Sequence, residues 1–194
     1  AKWRMPKGPA SEALALHARF CDLLVMSQTD NPDLPGAVLP NHVESVVTSA
    51  GRPVLIIPYI GEPQQALGKR VLFCWDYGRR AARALADAAP ILRMASELIV
   101  LTVDPDPEVL SSRDIATDDL ATYCALQEYP EIKEVHQGSE GIGVGNAILN
   151  TAADHGCDMI VMGAYSHSRV REWVFGGASK TILETMTVPI LFSH

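Results

Sequence analysis

The segment Cys21-Asp22-Leu23-Leu24-Val25-Met26 returns 136 residues later as Cys157-Asp158-Met159-Ile160-Val161-Met162, with only the two central leucines exchanged. At the same offset Arg52-Pro53-Val54-Leu55-Ile56 falls on Val188-Pro189-Ile190-Leu191-Phe192, and no gap is needed between the two matches. Self-similarity of this kind means that one supersecondary unit is used more than once, and it restricts the folds open to the chain. Upstream of the first match, Glu12-Ala13-Leu14-Ala15-Leu16-His17-Ala18 falls on the helical stretch that precedes the second. Residues 1–60 therefore read as a partial copy of the last part of a unit that residues 68–194 hold in full. Residues 61–67, with Gly61-Glu62-Pro63-Gln64-Gln65, read as the linker.

Within the complete unit, short β-branched runs alternate with longer helix-forming stretches, which is the pattern of βαβ crossovers and a parallel sheet. Arg70 to Trp75 reads as the first strand and Glu97 to Val103 as the second. Ile132 to His136 is a weaker third, Asp158 to Met162 an apolar fourth, and Pro189 to Phe192 the last. Between them the sequence predicts an Ala-rich helix from Gly78 to about Met94 with a kink at Pro90. Further helices are predicted over Asp114 to Glu128, from Ala147 to His155, and near Ser179 to Met186. The partial copy would supply strands near residues 2–5, 21–26 and 53–58. Those strands lack two neighbours needed for a complete sheet, and bare parallel edges are sticky. Two expectations follow: the sequence starts partway into a longer tandem protein, or a partner chain supplies the missing elements in a homo-oligomer such as a domain-swapped dimer.

Sixteen basic against twenty-three acidic side chains leave a net charge of −7, so no broad field attracts nucleic acid. The longest apolar runs, Val54 to Ile57 and Leu98 to Leu101, are far short of a bilayer span, so no membrane association is expected. The first residues carry no apolar stretch of secretory type, and a cytoplasmic location is the expectation. Cys21, Cys74, Cys124 and Cys157 are scattered without paired or ligand-like spacing, which points to reduced thiols and no metal cluster.

In an open parallel sheet, ligands bind beyond the carboxyl ends of the strands, which places Asp76, Val103, Gly138 and Gly163 at the expected site. Thirteen residues after Gly163, Gly176-Gly177 precedes Ala178-Ser179-Lys180 at a predicted helix start, where backbone N–H groups and the helix dipole favour an anion. The run Val161-Met162-Gly163-Ala164-Tyr165-Ser166-His167-Ser168-Arg169, continued by Phe175-Gly176-Gly177, resembles the signature of the universal stress protein family. That resemblance implies a five-stranded, doubly wound parallel sheet in the order 3-2-1-4-5, a role in the stress response, and ATP as ligand. ATP-binding members carry Gly-x2-Gly-x9-Gly followed by Ser or Thr. Gly163 and Gly176 match, whereas Ser166 replaces the middle glycine and Gly177 the hydroxyl residue. By the same resemblance Asp76 corresponds to the acidic residue after the first strand and Val103 to the backbone position that reads adenine. Ser166 and Ser179 are candidate hydroxyl donors to phosphate, and Arg169 and Lys180 candidate cations, by local position.

Other motifs fail on spacing. Gly141-x-Gly143-x-Gly145 lacks the dinucleotide spacing, and Gly176 to Thr181 lacks the glycine a P-loop needs before its lysine. No Gly-x-Ser-x-Gly elbow and no Glu/His pair at metal spacing is present. The leading expectation is a regulatory or binding protein whose catalysis is at most slow ATP hydrolysis. Two alternatives stand beside it: a nucleotide-free scaffold assembling through the strands near Ile56 and Ile190, and an enzyme for a nucleotide-like molecule using Asp76 or His167.

Overall fold

A computed structural model describes residues 1–28, 42–60, 67–105, 113–164 and 177–194, with the backbone alone over 113–119. In chain order the elements are α1 (Ala10–Ala18), β1 (Leu24–Ser27), α2 (His42–Ser49), β2 (Val54–Ile57), β3 (Arg70–Cys74), α3 (Arg79–Asp87) and α4 (Ala89–Leu92). There follow β4 (Glu97–Val103), α5 (Arg113–Leu126), β5 (Ile132–Gln137), α6 (Val144–Asp154), β6 (Met159–Gly163), α7 (Gly177–Thr185) and β7 (Ile190–Ser193).

Among the described residues the seven strands join one sheet in the order β1-β2-β7-β6-β3-β4-β5. The five strands after residue 68 are parallel to their neighbours, β5 on β4, β4 on β3, β3 on β6 and β6 on β7. β1 and β2 are parallel to each other, but β2 meets β7 antiparallel, with Val54 opposite Phe192 and Ile56 opposite Ile190. The expectation of a five-stranded, wholly parallel sheet is corrected by this join: the sheet is seven-stranded and mixed. Its physical reason is the open flank of β7, which would otherwise present unpaired N–H and C=O groups. The strands named above as assembly elements, around Ile56 and Ile190, are thus hydrogen-bonded to each other inside one chain.

Two further expectations are corrected. No strand forms at residues 2–5, where Trp3 and Met5 are exposed, because the structure brings no neighbouring strand to them. The Ala-rich helix expected to run to about Met94 is interrupted at Ala88, which caps α3 after Asp87, and Pro90 sits in the first turn of α4, where its missing N–H costs no helical bond.

Side-chain alternation along the strands divides the core into two layers. Leu72, Ile99, Ile160, Ile190 and Ile56 pack with Ala18 of α1, Val46 and Val47 of α2, Ile148 of α6 and Ile182 of α7. Val71, Phe73, Val100, Val161, Leu191 and Leu55 pack with Ala84 and Leu85 of α3, Leu92 of α4 and Cys124 of α5. Each fully buried Leu, Ile or Phe among them contributes about 1.5–3 kcal/mol through removal of apolar surface from water. A carboxylate fixes how β3 enters this sheet: Asp158 accepts the backbone N–H of Gly68 at 2.9 Å, of Lys69 at 2.9 Å and of Arg70 at 3.2 Å.

Candidate functional site

Because β3 to β7 all run the same way, their carboxyl ends lie along one rim. Register aligns Val103 with Gln137 across β4 and β5, and Gly163 with Ser193 across β6 and β7. Trp75 and Asp76 follow β3 between them, the Trp75 N–H donating to the Leu101 carbonyl at 2.8 Å. On one side of β3 the chain crosses to β4, and on the other side lies β6, so this is the point where the connections diverge. Asp76, Val103 and Gly163 therefore share the rim. Gly177 opens α7, and Ser179 is buried within the first turn of that helix. Ser166, Arg169 and Gly176, with His167, lie outside the described residues.

Locally, the turn from β3 into α3 is tightly specified. Asp76 Oδ1 accepts the N–H of Gly78 at 2.8 Å, and Gly78 is the cap residue of α3, so the carboxylate acts two residues ahead of the cap. Between them Tyr77 has φ 59, a left-handed conformation uncommon for a bulky residue. Its ring lies 5.6 Å from that of Trp75, which in turn lies 5.8 Å from Phe73. The Trp75 Nε1 is buried and has no hydrogen-bond partner among the described residues.

Gly163 is a glycine for a packing reason. A Cβ there would stand 2.7 Å from the Arg80 carbonyl carbon, 2.8 Å from Arg80 Cβ and 2.9 Å from the Ala81 nitrogen. Its bare backbone lets the first turn of α3 rest on the end of β6. The glycines of the rejected dinucleotide pattern also have separate reasons: Gly141 and Gly143 have φ 77 and 81, and Gly145 lets α6 approach Ala178 and Thr181 of α7.

The rim is electropositive in character at its helix starts. α3 begins with Arg79 and Arg80, and α3, α6 and α7 all lack an acidic residue in the first turn. Neither α3 nor α6 has a side-chain cap on its free N–H groups. Beside α3, His194 Nε2 lies 3.0 Å from Arg80 Nη2. Burial, reinforced by Arg80 and Arg79, holds its imidazole below the ordinary histidine value.

One rim residue escaped the sequence reading. Asp104 has φ 44, and its carboxylate accepts both the N–H of Ser139, at 3.0 Å, and the Ser139 hydroxyl, tying the end of β4 to the loop after β5. The signal available was an Asp at a strand end before Pro105, a position where Asp tolerates a left-handed backbone. Among the described residues no group of three or more His, Cys, Asp or Glu could hold a metal ion, and no helix is long and apolar enough to cross a membrane.

The model of the universal stress protein family matches residues 68–194, the unit whose five strands build this rim. The chain belongs to the universal stress protein family. A curated family member, universal stress protein Slr1230 of Synechocystis sp., is 25% identical over 154 residues, which are 77% of this chain and 50% of that protein. The chain thus spans about half the length of the curated relative it matches. Among solved structures, a universal stress protein from Archaeoglobus fulgidus DSM 4304 superposes with a TM-score of 0.70 at 18% identity, over 94% of this chain and 66% of that one. A protein of unknown function from Pseudomonas aeruginosa PAO1 gives 0.61 at 16% identity, over 97% and 68%. These likenesses concern the fold, in which the N-terminal strands are included.

Proposed function

We propose that this family member is a regulatory protein that binds an adenine nucleotide, ATP in the first instance, on the carboxyl rim of β3 to β6. The observation that carries the reading is the set of helix starts at that rim: α3, α6 and α7 present N–H groups with no acidic residue in the first turn. Such an arrangement suits a phosphate chain. Asp76 and Val103 flank it as candidate contacts to ribose and adenine, and Gly177 and Ser179 belong to the helix start nearest the signature. Occupancy would change partner choice or conformation, with hydrolysis slow at most.

A titration of the purified chain with ATP by calorimetry, alongside nucleotide analysis of the protein as isolated, tests this. Binding that is lost in Gly177→Asp, which sets a carboxylate at the α7 start, and retained in Lys133→Ala, remote at the opposite rim, supports the reading. No heat, no co-purified nucleotide and no rise in melting temperature would sink it.

Two observations favour a nucleotide-free scaffold instead. Gly163, the first signature glycine, is already occupied by the backbone of α3, and the Tyr77 ring is committed to Trp75. The same titration separates the two.

A further inference from the structure

The two copies close their matching strands with the same backbone bond. The N–H of Gln28 donates to the Ile57 carbonyl at 2.7 Å, and 136 residues on the N–H of Ala164 donates to the Ser193 carbonyl, also at 2.7 Å. The side chains differ. Ala164 adds a methyl group to the apolar layer, whereas Gln28 brings a buried amide to the corresponding place. Buried polar groups need hydrogen-bond partners, and this one is engaged at both ends. Its Oε1 accepts the Tyr59 N–H at 3.2 Å, and its Nε2 donates to the Leu183 carbonyl at 2.7 Å, 155 residues away. Leu183 lies in the last turn of α7, where carbonyls run out of helical donors. The Met186 N–H takes the carbonyl of Ile182, and Gln28 takes the next one. Gln28 thus caps the C-terminal end of α7 from the partial copy, while Gly177 at the other end of the same helix opens at the rim.

We infer that Gln28 is a positioning residue for the rim: by fixing the C-terminal end of α7, it fixes where the N–H groups of the first turn of that helix stand. The consequence for binding rests on the reading of the rim as a nucleotide site. A helix of nine residues is about 13 Å long and moves as a rod. α6 supports it from the side, where Gly145 meets Ala178 and Thr181, and Ile182 anchors it in the apolar layer. Apolar contacts are non-directional, so they set the distance of the rod from its neighbours and leave it free to tilt and slide. The hydrogen bond from Gln28 is directional and removes that freedom. Without it the last turn of α7 frays, and the helix start loses its fixed place. The coupling runs one way. By the same offset α2 is the copy of α7, and the residue matching Gln28 is Ala164, whose side chain has no polar atom with which to cap α2. The partial copy thereby contributes to a site built by the other unit.

The test compares the 194-residue chain with Gln28→Met, which keeps the volume and removes both side-chain bonds, and with Gln28→Glu. Amide exchange without nucleotide is expected to quicken over residues 177–186 in Gln28→Met and to stay unchanged over α3, which packs in the other layer. Calorimetry is expected to show ATP bound about 3- to 10-fold more weakly, the range that one net hydrogen bond spans. In Gln28→Glu the carboxylate repels the Leu183 carbonyl, whereas the protonated acid donates to it, and burial raises the introduced carboxyl above its ordinary value. Affinity and α7 exchange, each taken relative to the parent, should therefore recover as pH falls from about 8 to 5, a profile that loss of packing alone does not give. Tyr59 and Glu184, the titratable side chains beside the two bonded groups, are exposed and common to both chains, so they cancel in the ratio. Melting temperatures above the assay temperature verify folding. Unchanged exchange over 177–186 in Gln28→Met, an affinity within about twofold of the parent, or a flat pH ratio in Gln28→Glu overturns the inference. A parent chain that binds no ATP sinks the nucleotide reading alone, and α7 exchange with its pH ratio then decides the tether.

Discussion

Replacing Gly163 with alanine places a methyl group 2.7–2.9 Å from three atoms of the first turn of α3, two of them backbone. Carbon atoms settle at about 3.5–4.0 Å, so α3 must retreat by roughly 0.5–1 Å or β6 must bend. Neither can be done by turning a side chain, because Ala81, Ala84 and Leu85 of α3 are buried against the sheet. Overpacking of this kind costs about 1–3 kcal/mol. For a chain of this size each kcal/mol lowers the melting temperature by about 2–4 °C, so a loss near 2 kcal/mol corresponds to about 4–8 °C. Gly138→Ala is the matched control: the nearest atom to its added Cβ is Asp104 Oδ1 at 3.9 Å, and the change should stay within about 0.5 kcal/mol. Thermal melts without nucleotide provide the comparison. If Gly163→Ala melts with the parent chain, or loses only nucleotide binding, the packing account of Gly163 is wrong.

Removing the Asp158 carboxylate with alanine should destabilise the chain by about 1–3 kcal/mol in urea titration, because three amides at the start of β3 lose their acceptor; Asp22→Ala should leave the free chain unchanged. Hydrogen bonds from Arg70 at 2.7 Å and Lys133 at 3.0 Å hold Glu97 below the usual carboxylate range. Its contribution is therefore present above the ordinary glutamate value and lost as pH falls through the lowered one, so Glu97→Gln should differ from the parent at pH 7 and converge with it in acid, as melts across pH will reveal. Burial pushes the thiols of Cys124 and Cys157 up to about 11, whereas Cys21 is exposed. A disulfide reagent at pH 8 should label Cys21 at once and the two buried thiols only after unfolding, followed by mass spectrometry.

The alternation of β3, β4, β6 and β7 with helices was legible because strands buried on both faces must be continuous apolar runs, as in Leu98 to Leu101 and Met159 to Met162. The antiparallel join was not legible. It pairs Val54 with Phe192, and nothing local to either strand encodes a neighbour so distant in sequence. The expected strand at 2–5 failed for the complementary reason: Lys2 to Met5 has the right residues but no partner to complete a ladder. At the rim, Asp76, Val103 and Gly163 could be placed from sequence because strand ends are fixed by strand positions. The reason for Gly163 could not, since it depends on where α3 lands. Asp104 and Ser139 were missed because their bond joins two loops with no shared motif.

β2 has a protective consequence as well as a structural one. By covering the flank of β7 it acts as a built-in plug, since an uncovered central apolar strand such as Ile190-Leu191-Phe192 would template fibrous or dimeric growth. Loss of β1 and β2 would thus unmask an adhesive seam along β7.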